Sequence, residues 1–266
     1  MPERPPETGA ADEIGEIGEA EKAIRVCDRL DAEYGTPVWR SHGEPLGTLI
    51  GTILSQHTSD RNSGRAYDQL RRAFPTWDAV RTAPIPEIAE AIRSGGLAEV
   101  KAPRIRAVLE RLYEREGKTT LDFLERMPTG EAKAYLTGFP GVGPKTTACV
   151  LMFSLGRPVL PVDTHVFRVS HRLGLIPKRL GEAKAHEVLQ ALLPDDRVYA
   201  FHVHLIRHGR RVCTASLPRC GACVLSERCD YFRSGAASAS VAPARGATAP
   251  GSDSAETLHG LPSSAE

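Results

Sequence analysis

Four cysteines fall within one short stretch, Cys213, Cys220, Cys223 and Cys229, in the spacing C-x6-C-x2-C-x5-C with no interleaved histidine. Thiols this close pair as disulfides in an oxidising compartment and bind metal in a reducing one. The first residues, MPERPPETGAADEIGEIGEAEK, have neither the apolar core of a secretory signal nor the basic amphipathic character of a transit peptide, so a cytoplasmic protein and a metal-bound cysteine set are expected. Four thiolates suit structural zinc or a [4Fe-4S] cluster. Zinc ribbons use two C-x2-C knuckles, and only Cys220 and Cys223 are that close, which favours iron-sulfur. Cys27 and Cys149 lie in apolar helical settings and read as core residues.

A second chemistry is carried by FPGVGPKTTACVLMF, residues 139–153. Gly141 and Gly143 mark a tight turn, and a helix starting behind them presents unpaired N–H groups that can meet a phosphate. Pro144 suits the first turn of such a helix. Lys145 follows it. An amine beside a positive helix end and shielded from water has its cationic form disfavoured, the condition a nucleophilic lysine needs. Asp163, in PVDTH, suits an ordinary helix N-cap as well as a catalytic carboxylate.

The elements that must position these groups read as helices almost throughout. Leu46, Leu49, Ile50, Ile53 and Leu54 share one face; Ser59 or Asp60 can cap the next helix, with Tyr67, Leu70 and Phe74 as its stripe. Further stripes are Ile85, Ile88, Ala89 and Ile92, then Ile105, Val108, Leu109 and Leu112, then Val188, Leu189, Leu192 and Leu193. Only RPVLPV resembles a strand, and its prolines demote it to an extended connector. The expected class is all-α.

Charge divides unevenly. Residues 1–21 set seven acidic side chains against Arg4, a net of −6, and residues 234–266 carry −2, so residues 22–233 hold +9 of a chain whose total is +1. That surplus suits a polyanionic partner. The chain's 41% hydrophobic content is enough to build real cores, whereas the last thirty-odd residues, rich in Ala, Ser, Gly and Pro, are expected to stay disordered, as is the acidic N-terminal tail. No apolar run is long enough to span a bilayer.

FPGVGPKTTACVLMF, then PVDTHVFRV, then the cysteine loop, in that order, resembles the iron-sulfur branch of the helix-hairpin-helix DNA glycosylases, and within it the endonuclease III family, over about residues 22–232. The resemblance implies two helical domains with a DNA cleft between them: a six-helix domain with the helix-hairpin-helix over 46–157, and an iron-sulfur cluster domain built from 22–45 plus 158–232, flanked by tails 1–21 and 233–266. It implies that Gly141, Val142 and Gly143 grip a backbone phosphate, that Lys145 attacks C1′ of a damaged nucleotide, and that Asp163 stabilises the charge that develops on the sugar. Gln56 and His57 in LSQHTSD, and Leu97 in GGLAEVK, align with loops that fill the gap left by a flipped nucleotide. A [4Fe-4S] cluster on Cys213, Cys220, Cys223 and Cys229 is implied as structural or redox-sensing. The implied protein is a nucleoid-associated monomer that binds damaged double-stranded DNA and no membrane, a bifunctional glycosylase and AP lyase removing oxidised pyrimidines such as thymine glycol in base excision repair.

Three positions depart from the family's pattern: His57 stands where glutamine is common, Phe139 where leucine is usual, and Pro144 where a basic residue often stands. The alternatives are a mismatch-specific adenine or thymine glycosylase of the same superfamily, or a non-catalytic DNA-binding module with a zinc staple. The adenine branch lacks the lysine. Arg207, Arg210, Arg211 and Arg219 read as a basic face near the cysteines, and the histidines from His165 to His208 are assigned no metal.

Overall fold

The computed structural model describes residues 18–177 and 179–236, and among these it contains helices and no strand. Residues 1–17 and 237–266, where most of the two expected disordered tails fall, lie outside the described residues. The first helix, α1 (Glu19–Tyr34), begins three residues ahead of the expected boundary at 22 and ends at Gly35, whose φ of 76° few other residues adopt.

α2 (Pro45–Ser55) starts on a proline at its first turn, and every residue from Pro45 to Leu54 is buried, so it runs through the centre of the first apolar cluster. Around it pack α3 (Asp60–Ala73), capped by the Ser59 hydroxyl accepting from Asn62 N at 3.3 Å; α4 (Trp77–Thr82); α5 (Ile85–Ala91); and α6 (Ala98–Glu116). α7 (Thr129–Thr137), the turn Gly138–Gly143 and α8 (Pro144–Cys149) form a helical hairpin, and α8 runs on without a break into a π-helical turn, Val150–Ser154. RPVLPV follows as irregular chain, in keeping with its prolines.

The second cluster collects α1, α9 (Thr164–Leu173), α10 (Glu182–Ala191), α11 (Val198–Arg211) and the loop that leads to α12 (Asp230–Arg233). α1 is fastened to α11 by charge as well as packing: Asp31 accepts from Arg197 at 2.8 Å and bonds His204 at 2.7 Å. Cys27 and Cys149 are buried in this cluster, and burial pushes both thiols up.

The rod Pro144–Ser154 belongs to both clusters. Ala148, Val150 and Leu151 face the first, while Cys149, Met152 and Phe153 face the second. A π turn leaves its last carbonyls without helical partners. The chain that follows meets two of them, Arg157 N donating to Leu151 O at 2.9 Å and Gly156 N to Met152 O at 3.1 Å. Segment 39–42 adds to these: Trp39 Nε1 donates to Met152 O at 2.8 Å, His42 N donates to Phe153 O at 3.0 Å, and the His42 ring stacks on Phe153 at 4.8 Å. Replacing Phe153 by alanine is expected to lower the unfolding free energy by about 3–5 kcal/mol. The exposed Leu217→Ala is expected to change it by less than about 0.5 kcal/mol. Urea melts of the two variants check this, and equal midpoints would show that the rod is not packed as described.

Candidate functional site

Gly141 opens the hairpin turn at φ 72°, a backbone conformation that favours glycine, and a Cβ there would sit 2.5 Å from Arg104 Nε, so a larger residue would also have to displace that side chain. Gly143 is different. Its backbone is extended and open to other residues, but the space where its side chain would stand is empty. Behind it α8 starts with no side-chain cap, and the amides of Gly141, Gly143 and Lys145 have no acceptor among the described residues. The rod thus has its C-terminal carbonyls satisfied by protein and its N-terminal N–H groups left for a ligand, the polarity that attracts an anion. Val142 does not share this exposure. Its side chain is buried in the first cluster and its N–H donates to Phe139 O at 3.2 Å, so it anchors the turn and offers no donor to a phosphate.

Lys145 is half-buried in the first turn of α8. Asp163 is half-buried at the start of α9 and caps it, Oδ1 accepting from Val166 N at 2.7 Å; Oδ2 takes no hydrogen bond among the described residues. The two share one electrostatic neighbourhood, because both act on the buried thiol of Cys149 and on the buried ring of His202. Burial holds His202 down to about 4, with the Asp163 carboxylate and the Pro161 carbonyl pulling the other way, so the ring is neutral near pH 7. His202 Nδ1 meets that carbonyl at 2.8 Å, which fixes the connector two residues before Asp163.

The two expected wedge loops carry a signature that periodicity cannot supply. Among the described residues only His57 and Leu97 hold a left-handed backbone without being glycine, at φ 55° and 51°. Such a conformation costs about 1–2 kcal/mol per residue and gathers at functional sites. Both side chains are exposed, Leu97 by 53% with Val100 beside it at 54%, so Leu97 is not a loop residue packed inward. Gln56 points back instead: its Oε1 accepts from Arg104 at 2.7 Å.

Cys213, Cys220, Cys223 and Cys229 line a single pocket with Arg172, Pro218 and Tyr231. Among the described residues no three His, Cys, Asp or Glu side chains stand close enough for a single metal ion. Burial raises Cys220, Cys223 and Cys229, Cys223 to about 11, and neighbouring thiols push the same way. As thiolates they therefore need a cation. Two arginines that sequence reading passed over hold this loop. Arg168 donates to Cys213 O at 3.1 Å, and Arg172 donates to Cys213 Sγ at 3.3 Å, to Thr214 O at 2.6 Å and to Ala215 O at 2.8 Å. Both stand on α9, whose N-cap is Asp163. Nothing in their spacing told them from surface charge.

The expected basic face on α11 is partly committed within the protein. Arg207 donates to Tyr34 O at 3.1 Å, and Arg210 pairs with Asp60 at 2.5 Å. Phe139, buried, packs edge-on against Tyr135 at 5.4 Å, which accommodates the larger residue where leucine is usual.

The family profile described as HhH-GPD superfamily base excision DNA repair protein matches residues 50–195. Endonuclease III of Thermotoga maritima is 35% identical over 196 residues, covering 73% of this chain and 87% of that protein. A putative DNA glycosylase of Arabidopsis thaliana is 41% identical over 169 residues, 64% of this chain, and this chain spans 57% of that relative's length. The solved structure of a non-covalent endonuclease III–DNA complex superposes with a TM-score of 0.71 at 26% identity, over 82% of this chain and 98% of that one. A helical hairpin followed by a rod with a bare N-terminus, a lysine and an aspartate in one neighbourhood, and these relatives place the chain in the HhH-GPD superfamily of base excision DNA repair enzymes.

Proposed function

We propose that the chain is a bifunctional DNA glycosylase and AP lyase that removes oxidised pyrimidines from double-stranded DNA. The observation that carries this reading is the placement of Lys145 in the uncapped first turn of α8, half-buried, in one electrostatic neighbourhood with Asp163. A monofunctional glycosylase needs only the carboxylate. An amine here has a second use, as a nucleophile.

In the proposed sequence the hairpin amides bind a phosphate beside the lesion, and the exposed Leu97 and His57 occupy the space the flipped nucleotide leaves. The Lys145 Nζ lone pair attacks C1′ as the C1′–N bond breaks and the base departs with the electron pair and a proton. Asp163 Oδ2 offsets the positive charge that develops on the sugar and accepts a proton from the amine. That proton passes to O4′ as the C1′–O4′ bond breaks, which opens the sugar ring and leaves a protonated imine between Nζ and C1′; this acidifies C2′–H, whose loss expels the 3′ phosphate by β-elimination. Hydrolysis of the imine returns the enzyme.

The cysteine pocket supports a [4Fe-4S] cluster as resident cofactor. Four thiols line one pocket, and the Arg172 N–H on Cys213 stabilises sulfur that carries negative charge. When bound, the cluster supplies rigidity and redox sensitivity to the loop. This chain's residues carry the base-removal steps.

Lys145→Gln is expected to abolish the covalent species trapped by borohydride on an abasic duplex; persistence of that species would move the nucleophile elsewhere. Asp163→Asn keeps a cap of equal quality, so the melting temperature should hold while single-turnover base release from a thymine-glycol duplex falls about 10²–10⁴-fold; an unchanged rate would leave Asp163 a cap and nothing more. Analysis of purified protein should find iron and acid-labile sulfide in equal amounts, both lost in Cys223→Ser. Zinc without sulfide would remove the cluster from this reading.

A further inference from the structure

His57 and Leu97, the two strained residues that face out, follow two short helix ends, and a single buried side chain joins those ends. Lys101 is 2% exposed, and its Nζ donates to Leu54 O at 2.7 Å and to Gly95 O at 2.9 Å. Leu54 lies in the last turn of α2, and Gly95 closes the 3-10 turn Arg93–Gly95. Both carbonyls belong to helix ends that leave acceptors unpaired, and the negative end of α2 favours an ammonium there. No carboxylate pairs with Lys101 among the described residues, and burial lowers its proton affinity. An apolar side chain of the same length would fill this space without that penalty. What the lysine adds is a directional bond to two loops at once.

One helical turn further along α6, Arg104 bonds the first of these loops and lies against a third. It donates to Gln56 Oε1 at 2.7 Å and lies where a Cβ on Gly141 would be. We propose that Lys101 is a positioning residue that sets the spacing between the two wedge loops, and that Arg104 carries the same register to the hairpin. The wedge residues then enter the duplex as one pre-ordered unit, with less ordering cost at binding. This rests on the damaged-DNA reading of the site.

The test uses the full chain with Lys101→Met, which keeps length and volume. In the free protein, amide hydrogen exchange should accelerate in segments 54–60 and 93–100 and stay unchanged in 105–112. Affinity for a duplex bearing a tetrahydrofuran abasic analogue should fall by up to about 10²-fold, while borohydride trapping on a single-stranded abasic oligonucleotide is retained. In a Leu97→Ala background the same substitution should cost little more, because the lysine acts through that loop. Should Lys101→Met not fold, Arg104→Leu must accelerate exchange in 54–60 and 138–143 with the same loss on duplex alone. Additive losses in the double variant, equal losses on duplex and single strand, or unchanged exchange in the loops would overturn the proposal. A wild-type protein with no preference for the abasic analogue would instead overturn the reading of the site, and the exchange measurement would still decide the tie.

Discussion

The rod from Pro144 to Ser154 can exist only because two apolar clusters cover it from opposite sides. Every residue from Thr146 to Phe153 is buried, so neither side chains nor main chain along its length can turn to water for a partner. Its C-terminal carbonyls are taken up by segment 39–42 and by the chain that follows the rod, and the N-terminal amides are the part left over. The rod therefore ends, by construction, in a small polar surface with Lys145 on its first turn. Removing either cluster would leave that surface without a fixed direction.

Two other helices hold the rest of the site in relation to this end. On one side α6 carries Lys101 and Arg104, which reach the loops at Gly95, Leu54, Gln56 and Gly141. On the other, α9 carries Asp163 at its N-cap and Arg168 and Arg172 further along, which bind the main chain around Cys213. Each helix thus pairs an outward-facing group with cationic side chains that bond within the protein, Lys101 fully buried and Arg104, Arg168 and Arg172 partly so. Such charges are costly to bury, and here they are satisfied by main-chain carbonyls and, for Arg104, by the Gln56 side chain. The arrangement exchanges stability for geometry, which suits groups that must meet a substrate in a fixed relation.

The apolar stripes were legible because helical period and burial are the same fact seen twice: Leu46, Leu49, Ile50, Ile53 and Leu54 are all buried, as are Ile105, Val108, Leu109 and Leu112. The glycine turn, the proline behind it and the Asp163 cap were legible too, since each depends on local backbone chemistry. The burial of Val142 was not legible, because its place between two glycines says nothing of which way its side chain turns. Lys101 and Arg172 were passed over because a lysine or arginine in a helical segment reads as surface charge until its neighbours are known.

The chain's own order therefore determined where helices start and stop, which of their faces are apolar, and which residue types are available for chemistry, all properties carried by near neighbours along the backbone. Only the tertiary structure decided that Lys145 and Asp163, from helices separated by an irregular connector, act on the same buried Cys149 and His202. It also decided that His57 and Leu97 share an unusual backbone above one buried ammonium. These relations join residues tens of positions apart, and they arise from which surfaces must leave water together, a constraint that no local pattern encodes.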